Sequence, residues 1–382
     1  MKNFDQPAAD RRFMALALAL GRRGLGNVWP NPAVGAVVVR EEGEAPVIIG
    51  RGWTQPGGRP HAEIEALRRA GAAARGATLY VTLEPCSHHG QTPPCVDAII
   101  DAGIARVVSA MEDPNPLVAG RGHGRLRAEG IAVEVGVGAE EARRAHAGHI
   151  RRVRDGRPHV LLKLAVSSDG KVGLAGRRPV AITGEAARDV VHLLRAQHDA
   201  ILIGIGTALA DDPELTCRLP GMAARSPVRV VLDTGLRLPR ESRLIRTARQ
   251  TPVWVVAGHA APESLERDLR REGAEILRLG GAATLDLGET LAALAQRGIT
   301  RLMVEGGPRV AAAFVRADLI DDAILFCGNR AIGEDGIDAL DGLPLAALTQ
   351  SRAFEALSAG TIGCDRVETF SRASLAGHTI GT

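Results

Sequence analysis

Short apolar runs rich in β-branched residues alternate with stretches of helical period along the whole chain. This alternation leaves little room for anything but a layered α/β architecture. Near the start, Phe13, Met14, Ala17 and Leu20 follow helical spacing behind Asp10, a candidate N-cap. Asn31-Pro32 breaks the chain before a strand at 34–39, and a second strand fits 47–49. Pro60 and His61 open a helix that runs to Ala70; a strand over 78–83 then ends in the Pro85-Cys86 turn. Pro93-Pro94 starts a helix to about 102, and a strand at 106–110, a helix at 121–129 and a strand at 131–135 follow. This order predicts a three-layer α/β domain over residues 1–150. The stretch 140–157, rich in Arg and His, reads as a boundary helix or linker with a solvated face.

A second α/β domain is expected over residues 151–382. Strands fit 159–166, 200–203, 228–232, 253–256, 301–304 and 323–326, and helices fit 185–196, 262–271, 287–296 and 309–316. A mostly parallel sheet at its centre follows from strands separated by helices. Two domains suit 382 residues, and 45% hydrophobic against 24% charged residues suffices for two cores. Aromatic residues make up only 3%, with Tyr80 the single tyrosine, which argues against broad stacking platforms for single-stranded nucleic acid. The formal charge of +3, from 47 basic and 44 acidic residues, is too balanced for a polyanion-binding protein. The five cysteines are an odd, sparse set, so a disulfide framework is not expected and a reducing cytoplasm is. No secretory pattern is read at the start, and no apolar run reaches the ~18 residues of a membrane span.

The chemistry is concentrated in His61, Glu63, Cys86 and Cys95. One His and two Cys can hold zinc and leave its fourth position open, and both Cys stand near helix starts, which favour the thiolate. A carboxylate two residues from the His can move protons beside that open position. The set points to hydrolytic deamination of an amino-substituted ring carbon. The spacing is C-x8-C, against C-x-x-C in the general deaminase signature. Two other readings are a structural zinc knuckle with His88 or His89 as fourth ligand, and an unmetallated pair of core Cys. Glu63 discriminates, since a structural site needs no carboxylate there.

In the second half no G-x-G-x-x-G occurs, so a Rossmann fingerprint is absent. Gly204-Ile205-Gly206-Thr207 and Glu305-Gly306-Gly307 are Gly-bearing turns after strands. At the C-terminal ends of parallel strands such turns can cradle a phosphate, or they can simply serve tight strand–helix connections. Lys163 stands inside an apolar strand, where a lysine needs a partner.

The eleven residues from Pro85 to Cys95, together with Asn31-Pro32-Ala33-Val34-Gly35, His61-Ala62-Glu63 and Asp113-Pro114-Asn115-Pro116, occur in one order. They resemble the deaminase half of the bifunctional riboflavin-biosynthesis deaminase/reductase family. Lys163-Leu164-Ala165, Ile182-Thr183-Gly184, Asp211-Asp212-Pro213, Leu215-Thr216-Cys217-Arg218 and Leu232-Asp233-Thr234, with both Gly-bearing turns, are similar to its reductase half. The resemblance implies a cytidine-deaminase-like first domain and a dihydrofolate-reductase-like second domain. It implies zinc and NADPH as cofactors, a pyrimidine ribosyl phosphate as substrate, no nucleic-acid partner, and a homodimer or homotetramer. By position it implies that Asn31, Asp113 and Asn115 hold the pyrimidine substrate. Ala165, Thr207, Asp211, Thr234 and Gly307 would meet NADPH, and Lys163, Arg195, Leu215, Arg218 and Glu305 the reductase substrate. Arg195 and Arg218 suit a phosphate clamp. Thr54, Pro179 and Ala181 depart from the family pattern. The competing expectations are a protein with an impaired reductase half, a nucleic-acid base deaminase, and a structural zinc module fused to a nucleotide-binding regulatory domain.

Overall fold

The computed structural model describes residues 5–42, 45–116, 118–174, 180–280 and 284–373. The chain forms two compact units, Met1–Pro158 with Ala295–Thr300, and His159–Leu294 with Arg301–Thr382. The expected division at 150/151 falls inside a helix, Ala147–Asp155, and the observed one comes just after it.

The first unit runs α1 (Gln6–Gly21), β1 (Gly35–Glu42), β2 (Ala45–Trp53), α2 (Ala62–Ala70), β3 (Thr78–Val81), α3 (Cys95–Asp101), β4 (Arg106–Ser109), α4 (Arg121–Ala128), β5 (Ala132–Val135), α5 (Ala139–Ala145) and α6 (Ala147–Asp155). Its five strands lie in the order β2-β1-β3-β4-β5. β1 is antiparallel to both neighbours, whereas β3, β4 and β5 are parallel. The period-2 alternation of the strands builds the three layers. Val37, Val39, Tyr80 and Val108 pack with Phe13, Met14 and Ala17 of α1. Ala36, Val38, Leu79, Val81 and Val107 pack with Ala62 and Ala66 of α2 and Val96 and Ile99 of α3. α2 lies directly on β2, and a Cβ at Gly52 would stand 2.3 Å from the Ala62 carbonyl oxygen. The missing side chain seats the start of α2, and His61 with it.

Two local expectations are corrected. Asp5, not Asp10, caps α1, its carboxylate accepting from Ala8 N. Asp10 is buried inside the helix, where it pairs with Arg106 at 2.7 Å and accepts the Tyr80 hydroxyl at 2.7 Å. A carboxylate can be buried there because a guanidinium and a phenol reach it from neighbouring strands. The Arg- and His-rich stretch 140–157 is two helices and not one solvated face: Ala142 and His146 are buried, and His146 Nε2 lies 3.1 Å from Thr82 Oγ1.

The second unit carries β6 (His159–Val166), β7 (Lys171–Leu174), α7 (Glu185–Ala196), β8 (Ala200–Gly204), α8 (Ile205–Asp211), β9 (Val228–Leu232), α9 (Arg243–Arg246), β10 (Val253–Ala257), α10 (Glu263–Arg271), β11 (Glu275–Arg278), α11 (Leu287–Gln296), β12 (Arg301–Val304), α12 (Pro308–Arg316), β13 (Asp322–Cys327), β14 (Gly336–Asp338), α13 (Ala346–Thr349), β15 (Phe354–Ile362) and β16 (Asp365–Arg372). Nine strands form one sheet in the order β11-β10-β9-β8-β12-β6-β13-β16-β15. Pairing is parallel from β11 to β13 and antiparallel beyond it. The mostly parallel centre is as expected from the sequence. The antiparallel pair β15–β16 is not, because most of β15 faces solvent and its sequence carries no apolar alternation.

Candidate functional site: a metal centre and a strand-end site

His61 is the N-cap of α2, in extended conformation, and Cys95 opens α3 directly after Pro94. Cys86 stands in the turn between β3 and α3. The three meet: His61 Nδ1 lies 3.7 Å from Cys86 Sγ and 3.3 Å from Cys95 Sγ, and the three ligand atoms fall within 4.8 Å of one another. A tetrahedral zinc, with bonds of about 2.3 Å to sulfur and about 2.0 Å to nitrogen, sets S–N edges of about 3.5 Å. The donor set and its spacing therefore fit zinc. Among the described residues no fourth His, Cys, Asp or Glu joins this group, and His88 and His89 are exposed. The knuckle reading thus lacks its fourth ligand.

The electrostatics suit a cation. Cys95 Sγ and the Cys95 backbone N–H, 3.2 Å from Cys86 Sγ, draw the Cys86 thiol down to about 4 despite its burial. The contact with Cys86, and then burial, push the Cys95 thiol up. The contact with Cys86 raises His61. Glu63, in the first turn of α2, is 4% exposed. Burial lifts its carboxyl to about 7 against the pull of His61. A carboxyl poised near neutrality beside an open metal position can both take and return a proton.

The other residues expected on this unit fall into two groups. Asn31 donates its Nδ2 to the Gly58 carbonyl at 2.8 Å, so the side chain is fixed by the backbone. Asp113 Oδ1 accepts Asn115 N at 2.9 Å and lies 3.5 Å from His149 Nε2 of α6. Burial would raise Asp113, but His149, the Asn115 N–H and the charge of His88 hold it low. The zinc loop and the Asp113 turn are therefore electrostatic neighbours. Thr54 is structural: its Oγ1 donates to the Pro32 carbonyl and accepts Val34 N, each at 3.0 Å. His149 and the buried Glu84 went unnoticed in the sequence. His149 lay hidden in a charged stretch, and Glu84 was marked only by its place before Pro85-Cys86.

On the second unit the expected residues line up at strand ends. Thr234 follows β9, Thr207 follows β8, Gly307 follows β12 and Ala165 lies near the end of β6, and these four strands are adjacent in the order β9-β8-β12-β6. All are C-terminal ends of parallel strands, where α/β sheets bind ligands. Gly307 N donates to Thr207 Oγ1 at 3.0 Å, tying two of the turns together. A Cβ on Gly306 would stand 2.7 Å from Val310, so close packing of α12 accounts for that glycine.

Lys163 shares the face of β6 that meets α7, because Leu161, two residues earlier, packs on Ala187 and Val191. Its Nζ reaches Glu305 Oε1 at 3.0 Å. Arg195 of α7 grips the same carboxylate with Nε and Nη2 at 3.0–3.2 Å, and its Nη1 donates to the Thr216 carbonyl at 3.2 Å. Burial would raise Glu305, but the two cations hold it at about 2. Arg195 is thus committed to Glu305, and of the expected phosphate clamp Arg218 alone is exposed, with a surface pairing to Glu214 at 3.3 Å. Leu215 is buried at positive φ, and Asp211 is exposed. Ala181 is exposed, and Pro179 lies outside the described residues.

Fold and site together define a zinc-binding deaminase domain followed by a separate α/β domain. Residues 7–111 match the family description "Cytidine and deoxycytidylate deaminase zinc-binding region", and residues 158–366 match "RibD C-terminal domain". The chain is 42% identical over 347 residues to the riboflavin biosynthesis protein RibD of Escherichia coli, covering 87% of this chain and 92% of that protein. It is also 42% identical over 325 residues to the RibD of Aquifex aeolicus, covering 85% and 88%. A solved structure of Acinetobacter baumannii RibD superposes with a TM-score of 0.84 at 34% identity, covering 96% of this chain and all of that one. The diaminohydroxyphosphoribosylaminopyrimidine deaminase/5-amino-6-(5-phosphoribosylamino)uracil reductase of Thermotoga maritima gives 0.82 at 35% identity, covering 96% and 99%. The chain belongs to the RibD family of bifunctional riboflavin-biosynthesis enzymes, with a deaminase domain and a reductase domain. Among the described residues no helix is long and apolar enough to cross a membrane.

Proposed function

We propose that this chain catalyses two consecutive steps. The first deaminates 2,5-diamino-6-(5-phosphoribosylamino)pyrimidin-4-one by hydrolysis, and the second reduces the ribosyl group of the product to ribityl. The observation that carries the first step is the three-ligand set at tetrahedral spacing with the buried Glu63 in the helical turn that His61 opens. His61, Cys86 and Cys95 would hold a zinc ion, which would supply an activated water. Glu63 takes the proton of that water on its carboxylate and returns it to the departing amino group, leaving as ammonia. Asn31, Asp113 and Asn115 hold the pyrimidine.

For the second step, NADPH when bound supplies the hydride. Ala165, Thr207, Asp211, Thr234 and Gly307 orient it across the strand ends. The substrate meets Leu215, Lys163, Glu305 and Arg195, with Arg218 on its phosphate. The Lys163–Glu305–Arg195 cluster is intact, which speaks against an impaired reductase half. All five cysteines are free, which supports a reducing compartment, the cytoplasm. Family membership supports a homodimer or homotetramer, a small-molecule substrate and no nucleic-acid partner. The test is incubation of the purified chain with the diaminopyrimidinone phosphate, with and without NADPH. Ammonia is expected in both, and loss of nicotinamide absorbance only with NADPH. No ammonia from zinc-loaded protein would sink the first assignment, and no NADPH oxidation the second.

A further inference from the structure

Glu84 is a fully buried carboxylate three residues past the end of β3, two residues before Cys86. Its oxygens accept four backbone N–H groups: Oε2 takes Asp113 N at 3.1 Å and Gly120 N at 2.9 Å, and Oε1 takes Gly122 N at 2.8 Å and His123 N at 3.3 Å. Gly120 is the N-cap of α4 and has no side chain to satisfy the first turn. Glu84 therefore caps α4 from the connection after β3, doing what an N-cap Asp or Ser does locally. A Cβ on Gly122 would stand 2.2 Å from the Pro85 carbonyl oxygen, so this glycine lets the start of α4 close onto the Pro85-Cys86 turn. One carboxylate thus joins the metal-ligand turn to the Asp113 turn.

We infer that Glu84 is a positioning residue of the deaminase: it sets the Asp113–Asn115 turn at its working distance from the Cys86 ligand turn, and so sets substrate binding. This rests on the deaminase reading above. The pattern demands a carboxylate. Four donors need two acceptor oxygens, and an amide at this place would turn its own N–H groups against two backbone N–H groups in either orientation.

The experiment uses the full zinc-loaded chain, whose reductase half reports on folding. Glu84→Gln is expected to keep its zinc and the reductase rate on the deaminated intermediate, while the KM for deamination rises about tenfold or more and kcat falls less. Glu84→Asp, which keeps both oxygens on a shorter stem, is expected to recover part of the loss. A lowered melting temperature with unchanged KM would make Glu84 a structural brace only and overturn the inference. So would a variant whose sole defect is zinc loss. Where Glu84→Gln fails to fold, Glu84→Asp decides, and a wild-type KM for it overturns the inference. Failure of the deaminase reading is separately visible, because the wild-type chain would then release no ammonia.

Discussion

In the proposed reaction Glu63 and the metal ligands divide the labour between charge and proton. His61, Cys86 and Cys95 would hold the cation, and Glu63 would move the proton, since it is buried and stands outside the ligand group. Glu63→Gln is therefore expected to retain zinc and lose ammonia release, by about 100-fold or more, while the reductase continues. Metal analysis beside an ammonia assay checks this, and a normal rate would remove Glu63 from its role. Arg218 and Arg195 separate at the same scale. Arg195 is bound to Glu305, and Arg218 is exposed. Arg218→Ala is expected to raise the reductase KM by about tenfold, the loss of one charge-assisted phosphate contact, with deamination unchanged. An unchanged KM would take Arg218 out of the site. His61, Cys86 and Cys95 were legible because residue type and a preceding proline marked each one, and Glu63 because it stands two residues after His61. Glu84 was not, because its partners are backbone groups about 30 to 40 positions away.

At the scale of elements, α7 shows how a helix end can carry a pH dependence. His198 is buried just past the helix, with Nδ1 2.7 Å from the Leu194 carbonyl. Burial first, and then the charge of Arg301, push its pKa down to about 3. The unfolded chain takes up a proton below about 6.5 that the folded chain refuses. Stability of this unit is therefore expected to fall as pH drops from about 6.5 toward 3, by up to about 1.4 kcal/mol per pH unit. Urea unfolding at pH 7.5 and 5.5 reads it through Trp254 of β10, with Trp29 and Trp53 replaced by Phe. His198→Gln is expected to flatten the dependence, and an unchanged slope would show that other groups carry it. Most elements were legible because their apolar period is strong, as in α7, whose expected span matches the observed one. The β15–β16 pair was missed because β15 is an exposed edge strand, held by backbone pairing to β16 more than by a buried face.

For the molecule as a whole, the candidate metal ligands lie in one compact unit and the strand-end residues in the other. Removal of zinc by a chelator is expected to abolish deamination and leave NADPH oxidation with the deaminated intermediate intact, and added zinc is expected to restore the first activity. Loss of both rates would show that the metal also supports the second unit. What the amino-acid sequence determined by itself was the α/β plan, the family, and a candidate metal-ligand set with Glu63 two residues from its histidine. These rest on local period, on residue type and on the order of short motifs along the chain. The tertiary structure alone decided that Asp10 is a buried ion-pair partner and not a cap, that Arg195 serves Glu305, and that Glu84 caps α4. Each depends on groups brought together by sheet order and helix packing, whose hydrogen-bond partners lie far away in sequence and leave no periodic trace in it.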